Sequence, residues 1–182
     1  DGFVMRVVLG GTAAELGGGR FANGATTAAF GYLFNECAHN QCWGKDAANS
    51  APLAPPGVDV DDNIRRAGAA SFSGEGSSWF YDQVRNKGPW DYKQFGSGYQ
   101  DFGNFNYGAT GAAFGFSEDI LLRAAGWAQV QSGTSQQGWG VAPNKIQAYF
   151  GVGGVAPYGD DPRDQAMIRR GIEYYRSLMR RD

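Results

Sequence analysis

The sequence predicts a compact, mainly α-helical domain with long glycine-rich loops, preceded by a junction rich in glycine and proline. Three observations support this fold class. Several segments repeat apolar residues at the 3.6-residue period of an amphipathic helix. The same segments begin with acidic or hydroxyl capping residues and end near glycine. The 29 glycines are concentrated in residues 9–31 and 88–154, and short strands within these portions would make the fold α+β.

The composition is that of a folded protein with no dominant charge. Hydrophobic residues make up 42% of the 182 residues and charged residues 19%, which allows one packed domain with an extension. The 16 basic and 18 acidic residues give a net charge of −2, which does not favour nucleic acid as a partner. No apolar run approaches the roughly 18 residues of a membrane-spanning helix. Because the chain begins in the middle of a pattern, we expect it to be part of a longer polypeptide.

The first 57 residues are predicted to be a junction and linker, and residues 58–182 the functional domain. Prolines and Gly57 mark the end of the linker. Cys37, His39 and Cys42 lie close together in this part of the chain. A structural zinc site needs four ligands, and the chain holds no other cysteine or histidine, so no metal or other cofactor is predicted. The two cysteines are either free thiols or, in an oxidising compartment, a disulfide.

The first two helices of the domain are predicted from their starts. Asp59–Ala70 begins with acidic residues, which favour a helix N-terminus as caps and through the helix dipole. Ser77–Lys87 begins with two serines that can cap it and has apolar residues four positions apart on one face. Gly88 and Pro89 are expected to end this second helix.

The last third of the domain contains two strongly apolar helices. Ser117–Gln131 is capped by its own first serine and has so little polar surface that we expect it to be the central helix of the core. Gly133–Gly154 is predicted to be a long mobile loop or a short hairpin that could act as a lid. The final helix has Asp161 as its cap and Pro162 at its first position, which is a strong start signal.

The stretch Gly88–Gly115 is the main candidate for a functional site. It shows neither the helical nor the strand period of a core segment, and its frequent glycines bend the backbone around polar and aromatic groups. The structural alternative is an aromatic-rich loop whose polar groups only fix the backbone. At its end, Tyr107–Gly115 could form a tight helix of small residues. The candidate residues in this stretch are Trp90, Asp91, Tyr92, Lys93, Asp101, Asn104, Asn106 and Tyr107.

Asp160 completes the predicted site. Asp161 already caps the last helix, and Asp164 sits in its first turn, where the helix dipole explains an acid. Asp160 is therefore the acid near this helix that no structural role accounts for. The predicted catalytic residues are then Asp91, Lys93, Asp101 and Asp160.

Carboxylates are the chemistry that remains after the commoner catalytic groups are excluded. The chain has one histidine and no phosphate-binding loop. Two carboxylates with separated pKa values can cleave a glycosidic bond, one as acid and the other as base or nucleophile. Trp90, Tyr92 and Tyr107 suit stacking on sugar rings. Asn104 and Asn106 suit hydrogen bonds to acetamido or hydroxyl groups, so these five residues are predicted to bind substrate.

Two other function classes stay open. In a ribonuclease, Lys93 would stabilise phosphate charge while an aspartate acts as base, and attack by the 2′-hydroxyl would need no metal. If the protein is not an enzyme, it would be a pore former that disrupts a membrane or a binding module, but the apolar helix Ser117–Gln131 is too short and too tightly capped for a convincing membrane insert.

Two segments of the chain resemble known families of bacterial proteins. The segment GGTAAELGGGRFANGATTAAFGYLFNE resembles the junction that follows the shell of rearrangement-hot-spot (Rhs) and other YD-repeat proteins. From about Asn63 to Tyr175 the chain resembles the bacterial toxin 44 family of polymorphic toxins, above all in GNFNYGATG and YGDDPRDQ. The resemblance implies an antibacterial effector carried by an Rhs shell, delivered by a system such as type VI secretion and neutralised by a cognate immunity protein. We expect a peptidoglycan glycosidase acting in the target periplasm, with a cytoplasmic ribonuclease as the alternative.

Overall fold

The structure, a computed structural model, describes residues 51–180. The predictions made for residues 1–50, among them the Cys37–His39–Cys42 cluster, lie outside the described residues. The described helices, in chain order, are α1 (Val60–Phe72), α2 (Ser77–Val84), α3 (Gln100–Phe114), α4 (Glu118–Gln131), α5 (Lys145–Phe150) and α6 (Pro162–Met179). Two short 3-10 helices, Tyr92–Phe95 and Ser97–Tyr99, precede α3. Between residues 51 and 180 there is one isolated antiparallel bridge, Val141 to Val155, and no strand, which confirms the mainly α prediction.

Helix α3 is the centre of the domain and packs against both α1 and α6. Its glycines allow the backbones of α3 and α6 to touch. A Cβ atom added at Gly108 would lie 2.1 Å from the carbonyl oxygen of Ile168, and one added at Gly171 would lie 2.0 Å from that of Phe105. The apolar residues with at most 1% exposure in this core are Ile64, Ala67, Phe102, Phe105, Ala109, Leu121, Ile168 and Ile172.

The expectation that the helix after Ser117 forms the centre of the core is wrong. Only Leu121, Leu122 and Gly126 of α4 are buried, and Val130 is 41% exposed. Its apolar character comes largely from alanines and Trp127, which lie on partly exposed faces. The central position belongs to α3, whose glycine content obscured its helical pattern.

Most helix boundaries follow the predicted caps. Asp59 caps α1 by accepting from the Asp61 N–H at 2.8 Å, Ser117 caps α4, and Asp161 caps α6. The predicted serine cap of α2 is wrong, because Gly76 occupies that position without a side-chain bond, and α2 ends at Val84 rather than Lys87.

The segment predicted to be a loop or hairpin between Gly133 and Gly154 contains α5. Asn144 and Gln147 form a capping box at its start, which is the sequence signal that identifies this helix.

At the start of the described residues, before α1, Ala51, Ala54 and Val58 pack against the core. Among the helices of residues 51–180, none combines the length and apolar character needed to cross a bilayer.

Candidate functional site

Two carboxyl groups are buried at the start of α6. Asp160 is 2% exposed and Asp164 is 4% exposed. The cap of α6 is made by Asp161 alone, whose side chain accepts from the Arg163 N–H at 2.8 Å. Asp160 and Asp164 are therefore available for other interactions, in surroundings where an unsatisfied charge is costly.

Asp160 is held in place by the amide of Gln165. The Nε2 atom of Gln165 donates to Asp160 Oδ2 at 2.7 Å and to the carbonyl oxygen of Leu122 at 3.0 Å. Burial raises the pKa of Asp160 to about 6, and the charge of Asp164 adds to this, while the Gln165 hydrogen bond and Lys93 act in the opposite direction. The group therefore changes protonation near neutral pH, as a general acid or base must.

Asp164 has different neighbours. Lys93 Nζ lies 3.4 Å from Asp164 Oδ2, and Gln100 Nε2 donates to both carboxylate oxygens at 3.1 and 3.4 Å. Both neighbours are donors, so Asp164 accepts from both of them. The Lys93 side chain is 46% exposed and links this buried pair to the surface.

One face of α3 forms the second wall of the site. Gln100, Asn104 and Tyr107 follow one another at intervals of four and three residues, so they project from the same side of the helix. Tyr107 donates its hydroxyl hydrogen to the carbonyl oxygen of Leu121 at 3.1 Å. Burial, with a smaller contribution from Asp160, raises the pKa of the Tyr107 phenol. Gly103 leaves room for the stem of Lys93, whose Cγ would lie 3.4 Å from an added Cβ.

The backbone that presents Asp160 is strained and firmly anchored. Tyr158 has a φ of 64° and Gly159 a φ of 85°, a region that residues with side chains rarely adopt. The Gly159 N–H donates to the carbonyl oxygen of Trp139 at 2.6 Å, and Ser135 Oγ donates to that of Gly159 at 2.6 Å. The guanidinium of Arg123 lies 4.4 Å from the centre of the Tyr158 ring. Strain of this kind is often found at functional sites.

The structure thus brings together three of the predicted residues, Lys93, Tyr107 and Asp160, and a fourth, Asn104, lies on the bordering face of α3. Asp91 is elsewhere, where its Oδ2 accepts from the Lys87 N–H at 2.8 Å and stabilises the turn after α2. Asp101 lies half-buried in the first turn of α3, and in the described part of the chain no hydrogen bond or ion pair joins it to Asp160 or Asp164. Their catalytic roles stay predictions.

The remaining predicted residues lie inside the domain. Trp90 and Tyr92 are each 4% exposed, so neither offers an open ring face for stacking on a sugar. Asn63 Nδ2 donates to the Tyr92 hydroxyl at 2.6 Å and to Asn106 Oδ1 at 2.9 Å, a network that fixes the first 3-10 helix to α1 and α3. Asn106 faces α1, whereas Asn104 lies on the face of α3 that borders the site.

Sequence reasoning missed Gln100, Asp164 and Gln165. Asp164 was assigned to the helix dipole, which accounts for its type but not for its burial. One sequence signal could have identified the buried acidic pair. Because Asp161 alone caps the helix, Asp160 and Asp164 are two further acids, and they lie four residues apart.

Replacing Lys93 with methionine should raise the pKa of Asp160 above its present value of about 6, because Lys93 lowers it. The measurement is an NMR titration of the Asp160 carboxyl carbon. Lys145→Met, which removes a charge from α5, is the matched control and should leave this pKa unchanged. An unchanged or lower pKa in Lys93→Met would show that Lys93 does not act on Asp160.

The family assignment rests on residues 83–177, which match the model described as bacterial toxin 44. This chain belongs to the bacterial toxin 44 family. The match covers just over half of the chain and includes α3, α4, α5 and all but the last two residues of α6, hence every residue of the site at Asp160. Comparison with curated proteins and with solved structures gave no match. A toxin domain of this family is expected to be delivered into target cells.

Proposed function

We propose that this toxin domain hydrolyses glycosidic bonds of peptidoglycan, with Asp160 as the general acid and Asp164 as the second carboxyl group of the pair. The observation that carries the proposal is the contrast between two neighbouring buried carboxyl groups. Asp160 has a raised pKa of about 6, whereas Asp164 accepts from a lysine and a glutamine. Glycosidases use two carboxyl groups in different environments, one of which gives a proton to the leaving oxygen while the other acts as base or nucleophile.

Each residue has a role that follows from its contacts. Protonated Asp160 would give its hydrogen to the leaving oxygen of the glycosidic bond, and Gln165 would hold its carboxyl group in position. Asp164 would stabilise the positive charge that develops on the sugar or activate the attacking group. Lys93 lies at the surface side of Asp164, so substrate entry would require this side chain to move away from its 3.4 Å ion pair.

The setting of the reaction belongs to the same proposal. The domain would be the variable C-terminal toxin of an Rhs-type carrier, released into the periplasm of a competing bacterium. A cognate immunity protein would protect the producing cell. The sequence motifs of the junction support the carrier, and the glycan substrate favours the periplasm.

The test directs residues 51–182 either to the cytoplasm or, with an added signal peptide, to the periplasm of a bacterial host. We expect killing with lysis only from the periplasm, because peptidoglycan is found there. Purified protein should also release new reducing ends from isolated peptidoglycan. Killing from the cytoplasm with degradation of RNA, and no release of reducing ends, would instead support the ribonuclease alternative.

A further inference from the structure

The site contains a donor and an acceptor that have no partner. The Nδ2 atom of Asn104 and the Oε1 atom of Gln165 are both buried, and neither forms a hydrogen bond within residues 51–180. The two side chains are 6% and 1% exposed. Buried polar atoms are nearly always paired, so these two point to a group that is absent from the chain itself.

Flipping the Gln165 amide, which exchanges Oε1 and Nε2, would not give its unpaired atom a partner. Its Nε2 atom already donates to two oxygen atoms, those of Asp160 and Leu122. Rotating the amide by 180° would place Oε1 against both acceptors. The unpaired atom of Gln165 is therefore an acceptor.

Contacts on either side of Asn104 place it at the carboxyl groups. Gln100, one turn before Asn104, contacts Asp164, and Gly108, one turn after it, touches Ile168. Asn104 therefore lies opposite the turn of α6 that runs from Asp164 to Ile168 and includes Gln165.

We propose that Asn104 and Gln165 form a subsite for a neutral secondary amide, namely the acetamido group of an N-acetylated sugar. The amide oxygen would accept from Asn104 Nδ2, and the amide N–H would donate to Gln165 Oε1. This inference rests on the proposed glycosidase function and deepens it. A hydroxyl group or a water molecule also donates and accepts, but the acetamido group is the neutral amide that the proposed glycan substrate carries.

The experiment compares N-acetylated peptidoglycan with the same material after de-N-acetylation, using the wild-type toxin domain and Asn104→Leu. Wild type should cleave the acetylated glycan faster. Asn104→Leu should reduce kcat/KM on the acetylated glycan roughly tenfold, the loss of about one buried hydrogen bond, and change it little on the deacetylated glycan. Asn104→Ser replaces it if the leucine variant does not fold.

Asn106→Ser is the matched control, because Asn106 also has an unpaired Nδ2 atom but faces Asn63 of α1. It should affect both substrates equally. Equal losses on the two glycans in Asn104→Leu would overturn the subsite and indicate an internal water in its place. If wild type cleaves neither glycan, the glycosidase proposal fails, and the subsite fails with it.

Discussion

Replacing Asp160 with asparagine should abolish peptidoglycan hydrolysis and killing while leaving the domain folded. Asparagine has nearly the same shape and keeps an oxygen atom that can accept from Gln165, which now donates to Asp160 at 2.7 Å. It cannot give up a proton, so the general-acid contribution of roughly 10²–10⁴-fold is lost. The measurements are reducing-end release and killing from the periplasm.

The same variant should change how stability depends on pH, which provides an independent check on folding. The pKa of Asp160 is about 6 in the folded protein, against an ordinary value of 3.8. Folding therefore favours the protonated form, and this contribution is complete below about pH 4 and lost as the pH rises through about 6. At pH 7 the buried charge costs about 3 kcal/mol, an order-of-magnitude figure. Asp160→Asn should lack this fall in the free energy of unfolding and be at least as stable as wild type at pH 7.

Asp161→Asn is the matched control for Asp160→Asn. It changes the adjacent acid, but asparagine caps a helix as well as aspartate does, so activity and stability should stay close to wild type. Asp101→Asn, measured in the same assay, tests the sequence prediction for that residue. Full activity in Asp160→Asn would remove Asp160 from the catalytic role.

Replacing Gly171 with alanine should destabilise the domain by about 3 kcal/mol or more. The added Cβ would lie 2.0 Å from the carbonyl oxygen of Phe105 and 2.8 Å from the backbone nitrogen of Ala109. These are backbone atoms, so α3 and α6 would have to move apart. Alanine has the better helix propensity by about 1 kcal/mol, which is too little to offset this overlap. The measurement is chemical denaturation.

Gly98→Ala is the control for Gly171→Ala. An added Cβ at Gly98 meets nothing within 4 Å, so the free energy of unfolding should change by less than about 0.5 kcal/mol. A Gly171→Ala domain as stable as wild type would mean that α3 and α6 do not pack as closely as described.

The sequence revealed the helices whose signals are local. Caps and apolar periods located α1, α4 and α6, and the capping role of Asp161 left Asp160 as the acid without a structural purpose. The first half of α3 was missed, whereas its second half lies within the small-residue helix predicted over Tyr107–Gly115. Gly103, Gly108 and Gly111 weaken the helical signal that tertiary packing restores.

The composition of the site could be predicted only in part, for the same physical reason. Asp164 is buried because α3 crosses α6 beside it. The local sequence around the first turn of a helix does not show whether a residue there will be buried by another helix. The relation between Asn104 and Gln165 also depends on that crossing, since the two residues lie on different helices. Local sequence patterns contain no information about which faces of distant helices meet.

The contact between the backbones of α3 and α6 has a mechanical consequence. Where two helices touch at Gly108 and Gly171 with no side chains between them, a change of side-chain conformation cannot widen the gap. The two walls of the site that these helices provide therefore keep a constant separation. Gly96, in the segment that carries Lys93, has a φ of 131° and open space around it, so we expect this segment to move if the site opens. In this arrangement the walls from α3 and α6 stay in place, and access to the buried carboxyl groups depends on the segment around Lys93.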